Sequence, residues 1–139
     1  MRRYLVVANR TLGGDHLTAK VRECVAAGPC EFHVLVPASH NHDFTWTEGG
    51  DRAAAEARLA EAMARLRASG AEITGEVGDT NPIEAIGDAL RRDKFDEIIL
   101  STLPPGISRW LRQDLPTRVN KQFRLPVQHI VASEEVVRS

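Results

Sequence analysis

The sequence predicts an α/β fold: a five-stranded parallel sheet in the order 3-2-1-4-5, Rossmann-like, with helices on both faces in a three-layer sandwich. Three observations carry this. Short apolar runs alternate with segments of helical periodicity in the order β-α-β-α-β-α-β-α-β. The runs at 4–8 and 97–100 are nearly continuous, as in strands buried on both faces of a parallel sheet. The first run is the most apolar, so it sits centrally and the chain winds outward from it twice.

The elements follow in order. Tyr4-Leu5-Val6-Val7-Ala8 is the first strand, and residues 9–14 form a loop ending in Gly13-Gly14. Asp15 reads as the N-cap of a helix with the stripe Leu17, Val21, Cys24 and Val25. Gly28-Pro29 stops it. Residues 32–36 are the second strand, closed by Pro37. A polar loop over 38–50 holds His40, His42, Asp43, Phe44 and Trp46. An Ala-rich helix spans 51–69, with Ala55, Leu59, Ala62, Met63 and Leu66 on one face, and Gly70 ends it. Residues 71–77 alternate apolar and polar, so the third strand is less buried and lies at an edge. Pro82 sits in the first turn of a helix whose inward residues are Ile83, Ile86 and Leu90. The fourth strand, 97–100, breaks into a loop at Ser101-Thr102-Leu103-Pro104-Pro105-Gly106. A short helical piece covers 107–113. Asp114 caps a last helix with Pro116 in its first turn and Val119 and Phe123 inward. Residues 126–131 form the fifth strand, and a short polar tail follows.

Length and composition bound the function. The 139 residues suit one domain, 1–139, with a real core. With 18 basic and 19 acidic residues the net charge is −1, which argues against a general nucleic-acid or anionic-membrane binder. Cys24 and Cys30 lack a CxxC spacing and make neither a zinc site nor a disulfide framework. Free thiols suit a reducing cytoplasm. About five apolar residues precede Asn9, too few for a signal peptide, and no run approaches the roughly 20 residues of a membrane helix.

In the order 3-2-1-4-5 the switch point falls between strands 1 and 4, where such sheets bind ligands. The candidate crevice is lined by Ala8, Asn9, Arg10, Val36, Ser101, Thr102, Gly106, Ser108, Arg109, Gln113 and Asp114. Ser101, Thr102 and Ser108 offer donors to an anion, and Arg109 could pair with it. The competing reading is that these hydroxyls satisfy loop backbone and cap the next helix. Gly13-Gly14 reads as a flexible turn more than an anion nest, because Asp15 adjoins it. His40, His42 and Asp43 have no further well-spaced His or Cys nearby, so no metal site is assigned. Phe44 and Trp46 anchor their loop or cover a pocket. His33 and His129 lie in strands and read as packing residues. There is no Gly-x-Ser-x-Gly elbow, Walker loop or HExxH, so no catalytic residues are assigned.

Several motifs keep one family's order and spacing. They are Tyr4-Leu5-Val6-Val7-Ala8-Asn9; Gly78-Asp79 with Pro82, Glu84, Ala85 and Ile86; Asp96-Glu97-Ile98-Ile99-Leu100; Gly106-Ile107-Ser108-Arg109; and the run from Val119 to Pro126-Val127. Over nearly its whole length the chain resembles the universal stress proteins, a branch of the adenine nucleotide alpha hydrolase-like superfamily. The resemblance implies a stress-response domain binding ATP or AMP, and dimerisation through the last strand. ATP-binding members carry Gly-x-x-Gly after strand 4, then nine residues, then Gly-Ser or Gly-Thr. Here Pro104 and Pro105 remove N–H donors where a phosphate loop uses them. Gln113-Asp114 occupies the Gly-Ser position, where a carboxylate repels phosphate. Asn9 replaces the acid ending strand 1. The expectation is therefore a degenerate site that binds nucleotide weakly or takes another small anion. The alternatives are a ligand-free dimeric interaction module and a small nucleotide hydrolase. The apolar edge of the last strand, with Val127, His129 and Val131, predicts a homodimer, because an uncovered edge strand needs a partner.

Overall fold

In a computed structural model the first strand, β1 (Arg2–Val7), is buried from Tyr4 onward and lies in the middle of the sheet. The structure describes residues 1–8, 11–12, 14–37, 46–78, 81–103 and 108–132, with the side chains of 46–52 and of Arg109 excepted. The chain continues through α1 (Asp15–Ala27), β2 (Cys30–Pro37), α2 (Trp46–Arg67), β3 (Glu72–Gly78), α3 (Pro82–Arg92), β4 (Glu97–Thr102), α4 (Arg109–Arg112), α5 (Leu115–Phe123) and β5 (Val127–Val131). The sheet order is β3-β2-β1-β4-β5 and every neighbouring pair is parallel, as the sequence predicts.

The period-2 alternation of each strand divides the core into two layers. On one face Val6, Phe32, Val34, Ile73 and Ile99 pack with the apolar stripes of α1 and α2. On the other, Leu5, Val7, Leu35, Ile98 and Leu100 pack with α3 and α5. The central strands β1 and β4 are consequently buried on both sides, whereas β3 and β5 are only partly covered. Gly75 lets α2 approach β3 closely: a Cβ there would stand 2.8 Å from Leu59 Cδ1 and 2.9 Å from Met63 Sδ.

Four boundaries depart from expectation. The α1 N-cap is Gly14, with Asp15 the first helical residue, where its charge still favours the N-terminal dipole. Helix α2 begins at Trp46, not residue 51, and runs through Gly49-Gly50. Glycine costs a growing helix only about 1 kcal/mol, which propagation can absorb. Asp114 does not cap α5 through its side chain; it adopts a left-handed conformation (φ 56°) that turns α4 into α5. A capping side chain needs extended backbone instead. Finally, β4 continues through Ser101 and Thr102, because β5 supplies pairing partners for both, Ile130 and Val131. Asn81 is the conventional cap: its side chain accepts from the N–H of Ile83 at 2.9 Å and of Glu84 at 3.3 Å.

Candidate functional site

The parallel order sets the carboxyl ends of β1 and β4 side by side, with Val7 opposite Leu100. Ala8 follows β1 and donates its N–H to Leu35 O at 3.2 Å. Ala8 and Val36 are fully buried in the core layer beneath α1 and α2, so their side chains are committed to packing.

Just beyond, the chain folds back over β4. Thr11 Oγ1 stands 2.6 Å from Ser101 Oγ. From the first turn of α1, His16 reaches the same hydroxyl, with Nε2 2.7 Å from Ser101 Oγ. Ser101 is thus held between a threonine and an imidazole, and it is only 1% exposed. His16 Nδ1 is buried and has no hydrogen-bond partner among the described residues. Burial pushes the His16 ring below its usual pKa, against a smaller opposing pull from the Asp15 carboxylate. On the opposite face of β4, Thr102 Oγ1 lies 2.8 Å from His129 Nε2, and burial lowers His129 likewise.

A serine hydroxyl on a histidine has the form of a nucleophile with its base. Productive catalysis also needs a group orienting the imidazole and a path for substrate. Among the described residues nothing bonds Nδ1, and Ser101 is enclosed. In the trio Thr11–Ser101–His16 the two hydroxyls are enclosed and bonded to each other, and His16 Nδ1 is the atom left without a partner among the described residues.

The sequence-predicted residues fall into three groups. Ser101 and Thr102 reach the switch point, but as buried strand residues bonded to histidines, not as loop hydroxyls. Ser108 takes the capping role: its Oγ accepts from the N–H of Leu111 at 3.1 Å and starts α4. Gln113 and Asp114 are exposed in the turn between α4 and α5, and the Gln113 carbonyl accepts from Arg118 at 3.5 Å. Asn9, Arg10, Gly106, Pro104 and Pro105 lie outside the described residues, as do His40, His42, Asp43 and Phe44. Arg109 opens α4 and Trp46 opens α2, each with its side chain outside the described residues.

Sequence reasoning overlooked His16 and gave Thr11 no role. Topology held the signal for the first: a helix that follows a central strand starts at the carboxyl edge, so its first-turn side chains are placed near the switch point. His33, half-buried on β2, reaches across to β3. It bonds Thr74 Oγ1 and Glu76 Oε2, both at 2.7 Å, and stacks on Phe95 at 6.0 Å. Cys24 and Cys30 are free thiols, and burial pushes both above the usual pKa. No cluster of three potential metal ligands occurs among the described residues, and none of the described helices is long and apolar enough to cross a membrane.

No family model and no curated protein matches the sequence. Solved structures do match by shape. A universal stress protein in complex with cAMP is 17% identical, with a TM-score of 0.67 over 95% of this chain and 98% of that one. The universal stress protein from Archaeoglobus fulgidus in complex with dAMP is 16% identical, with a TM-score of 0.62 over 94% of this chain and 98% of that one. A universal stress protein family protein from Arabidopsis thaliana with AMP bound is 10% identical, with a TM-score of 0.62 over 97% and 94%. The chain therefore has the fold of the universal stress proteins.

Proposed function

We propose that this chain is a universal-stress-protein-like ligand-binding domain with a regulatory role in the stress response, acting in the cytoplasm. Its crevice between β1 and β4 takes AMP or ATP weakly, or another small anion. The observation that supports this most is the trio Thr11–Ser101–His16, a polar cluster at the switch point of the sheet. Structures of the same fold that hold cAMP, dAMP or AMP favour an adenine nucleotide. Weakness follows from the chain's own residues, since Pro104 and Pro105 lack N–H donors and Asp114 adds negative charge.

Calorimetry with AMP, ATP and inorganic phosphate tests the reading. Saturation by AMP is expected with Kd from about 0.1 to 1 mM. Ser101→Val should weaken it by about fivefold, the worth of one neutral hydrogen bond. Absence of heat with all three probes, together with no bound mass in native mass spectrometry, would remove nucleotide binding and leave the interaction module. That second reading is favoured by one observation: the Ser101 and Thr102 hydroxyls are both enclosed and already bonded.

Both readings include a homodimer through β5. The strand lies at the sheet edge and its residues are only partly covered, with Val131 40% exposed beside Val127 and His129. An edge of this kind presents unpaired N–H and C=O groups to a partner strand. Light scattering at tens of micromolar is expected to give twice the chain mass; a monodisperse monomer would refute it.

A further inference from the structure

Part of one sheet face lies beyond its covering helix. Strands β2 and β3 are parallel, and His33 pairs in register with Thr74. Side chains two apart share a face, so His33, Thr74 and Glu76 are on the side where Leu35 joins the core layer of α3. Helix α3 runs back from the carboxyl edge and ends at Arg92, whose guanidinium reaches Glu76. Thr74 lies two residues nearer the amino end, past the helix, and is exposed.

Three polar groups meet there in a fixed order. Thr74 Oγ1 is 2.7 Å from His33 Nδ1, and His33 Nε2 is 2.7 Å from Glu76 Oε2. Burial alone would raise the Glu76 carboxyl, but the bonds from Arg92 and His33 outweigh burial and hold it below its usual pKa. Glu76 is therefore a carboxylate at neutral pH and can only accept. Its bond to His33 is donated by Nε2–H. The neutral ring then keeps its lone pair on Nδ1, and the Thr74 hydroxyl donates to it. The ring is also held by stacking on buried Phe95, with centroids 6.0 Å apart.

One bland account is that cross-strand polar pairs satisfy an open sheet face, each worth little. Any order of partners meets that need. The order here is the one in which a base, oriented by a carboxylate, takes the proton of a hydroxyl. The two conditions that fail at Ser101 are met at Thr74: a group orients the imidazole, and the hydroxyl is open to solvent. We propose that Thr74 is a nucleophilic acyl-acceptor site, modified by activated acyl esters, with His33 as its general base and Glu76 as a positioning residue. As Thr74 Oγ1 attacks the acyl carbon, its proton passes to His33 Nδ1. The new O–C bond forms, and the bond from the acyl carbon to the leaving oxygen breaks with its electron pair. His33 returns the proton to that oxygen. The products are an O-acyl threonine and a free alcohol or phenol.

The test incubates the full chain with p-nitrophenyl acetate and locates acetyl groups by peptide mass spectrometry. Thr74 is expected to label at least about a hundredfold faster than Thr117, which is exposed on α5. Thr74→Val should remove this label, and Thr74→Ser should keep it. His33→Gln can still bond the hydroxyl but takes no proton, so labelling should slow by about a hundredfold. Glu76→Gln should slow it at least about tenfold, with part of the loss recovered in Glu76→Asp, which keeps the carboxylate. Circular dichroism confirms that each variant is folded; if His33→Gln is not, the Glu76 pair and the comparison with Thr117 decide. Acetyl groups confined to lysines and the N-terminus would overturn the proposal. So would Thr74 labelling no faster than Thr117, or a rate unchanged in both His33→Gln and Glu76→Gln. The site does not depend on the β1/β4 crevice, so Ser101→Val should label at the wild-type rate.

Discussion

Phe32→Ala is expected to lower stability by about 3–5 kcal/mol, the range for removing a buried phenylalanine. Phe32 is 2% exposed and belongs to the core layer under α1 and α2. It pairs in register with Tyr4 on β1, and the two rings stack with centroids 5.1 Å apart and planes 14° from parallel. Truncation therefore removes both burial and an aromatic contact, which by itself is worth about 0.5–1.5 kcal/mol. The upper half of the range is expected, because parallel strands on both sides keep the backbone from collapsing into the space. Domains hold only about 5–15 kcal/mol in total, so the variant should melt roughly 10–20 °C lower. Phe32→Leu, which keeps most of the volume, should lose no more than about half as much. A fall under about 3 °C for Phe32→Ala would mean that the site collapses or that the Tyr4 stack contributes little.

The sheet order was legible because it depends on features written into each segment. Apolar runs without alternation mark β1 and β4 as buried on both faces, and the alternation over 71–77 marks β3 as an edge. The site was less legible because it depends on pairs far apart in the chain. Ser101 and Thr102 stand beside two prolines and look like loop residues. They are strand residues because β5 continues the ladder past Leu100 and a histidine meets each hydroxyl. The partner of Ser101 lies 85 positions away, at His16, and no local pattern links them. Backbone detail was lost for a related reason. Asp114 reads as a cap by residue type, but its left-handed backbone serves the turn between α4 and α5.

The core and the crevice share one consequence. Folding Ser101 and Thr102 into β4 places two imidazoles against the sheet, and neither is in full contact with water. The enclosed hydroxyls fix where each ring sits. An imidazole without a countercharge resists protonation there, because burial disfavours the charged form.

Acidification from about pH 7.5 to pH 5 is accordingly expected to destabilise the protein, mainly between the unfolded histidine pKa near 6.5 and the lower folded values. His16 and His129 are both held below the usual value by burial, and only Asp15 opposes this at His16. The unfolded chain therefore takes up protons that the folded one refuses. Stability is complete above about pH 6.5, falls as pH drops below it, and levels off once the folded rings also protonate. One proton taken up only on unfolding gives at most about 1.4 kcal/mol per pH unit. Both rings are partly solvated, so the observed slope should be well under twice that. Glu76 adds a second loss at lower pH. Its folded pKa is depressed, so its contribution is present above about pH 4.3 and disappears as pH falls through the folded value. Denaturant melts across the range measure the slope, and His16→Gln separates its source. Glutamine does not titrate and can still bond Ser101, so the variant should lose less stability on acidification. A wild-type profile flat down to about pH 5.5 would show that neither ring is desolvated as the structure has them. Protonation also changes the site itself: a charged His16 can only donate, so Ser101 must turn its lone pair toward Nε2 and its own proton toward Thr11.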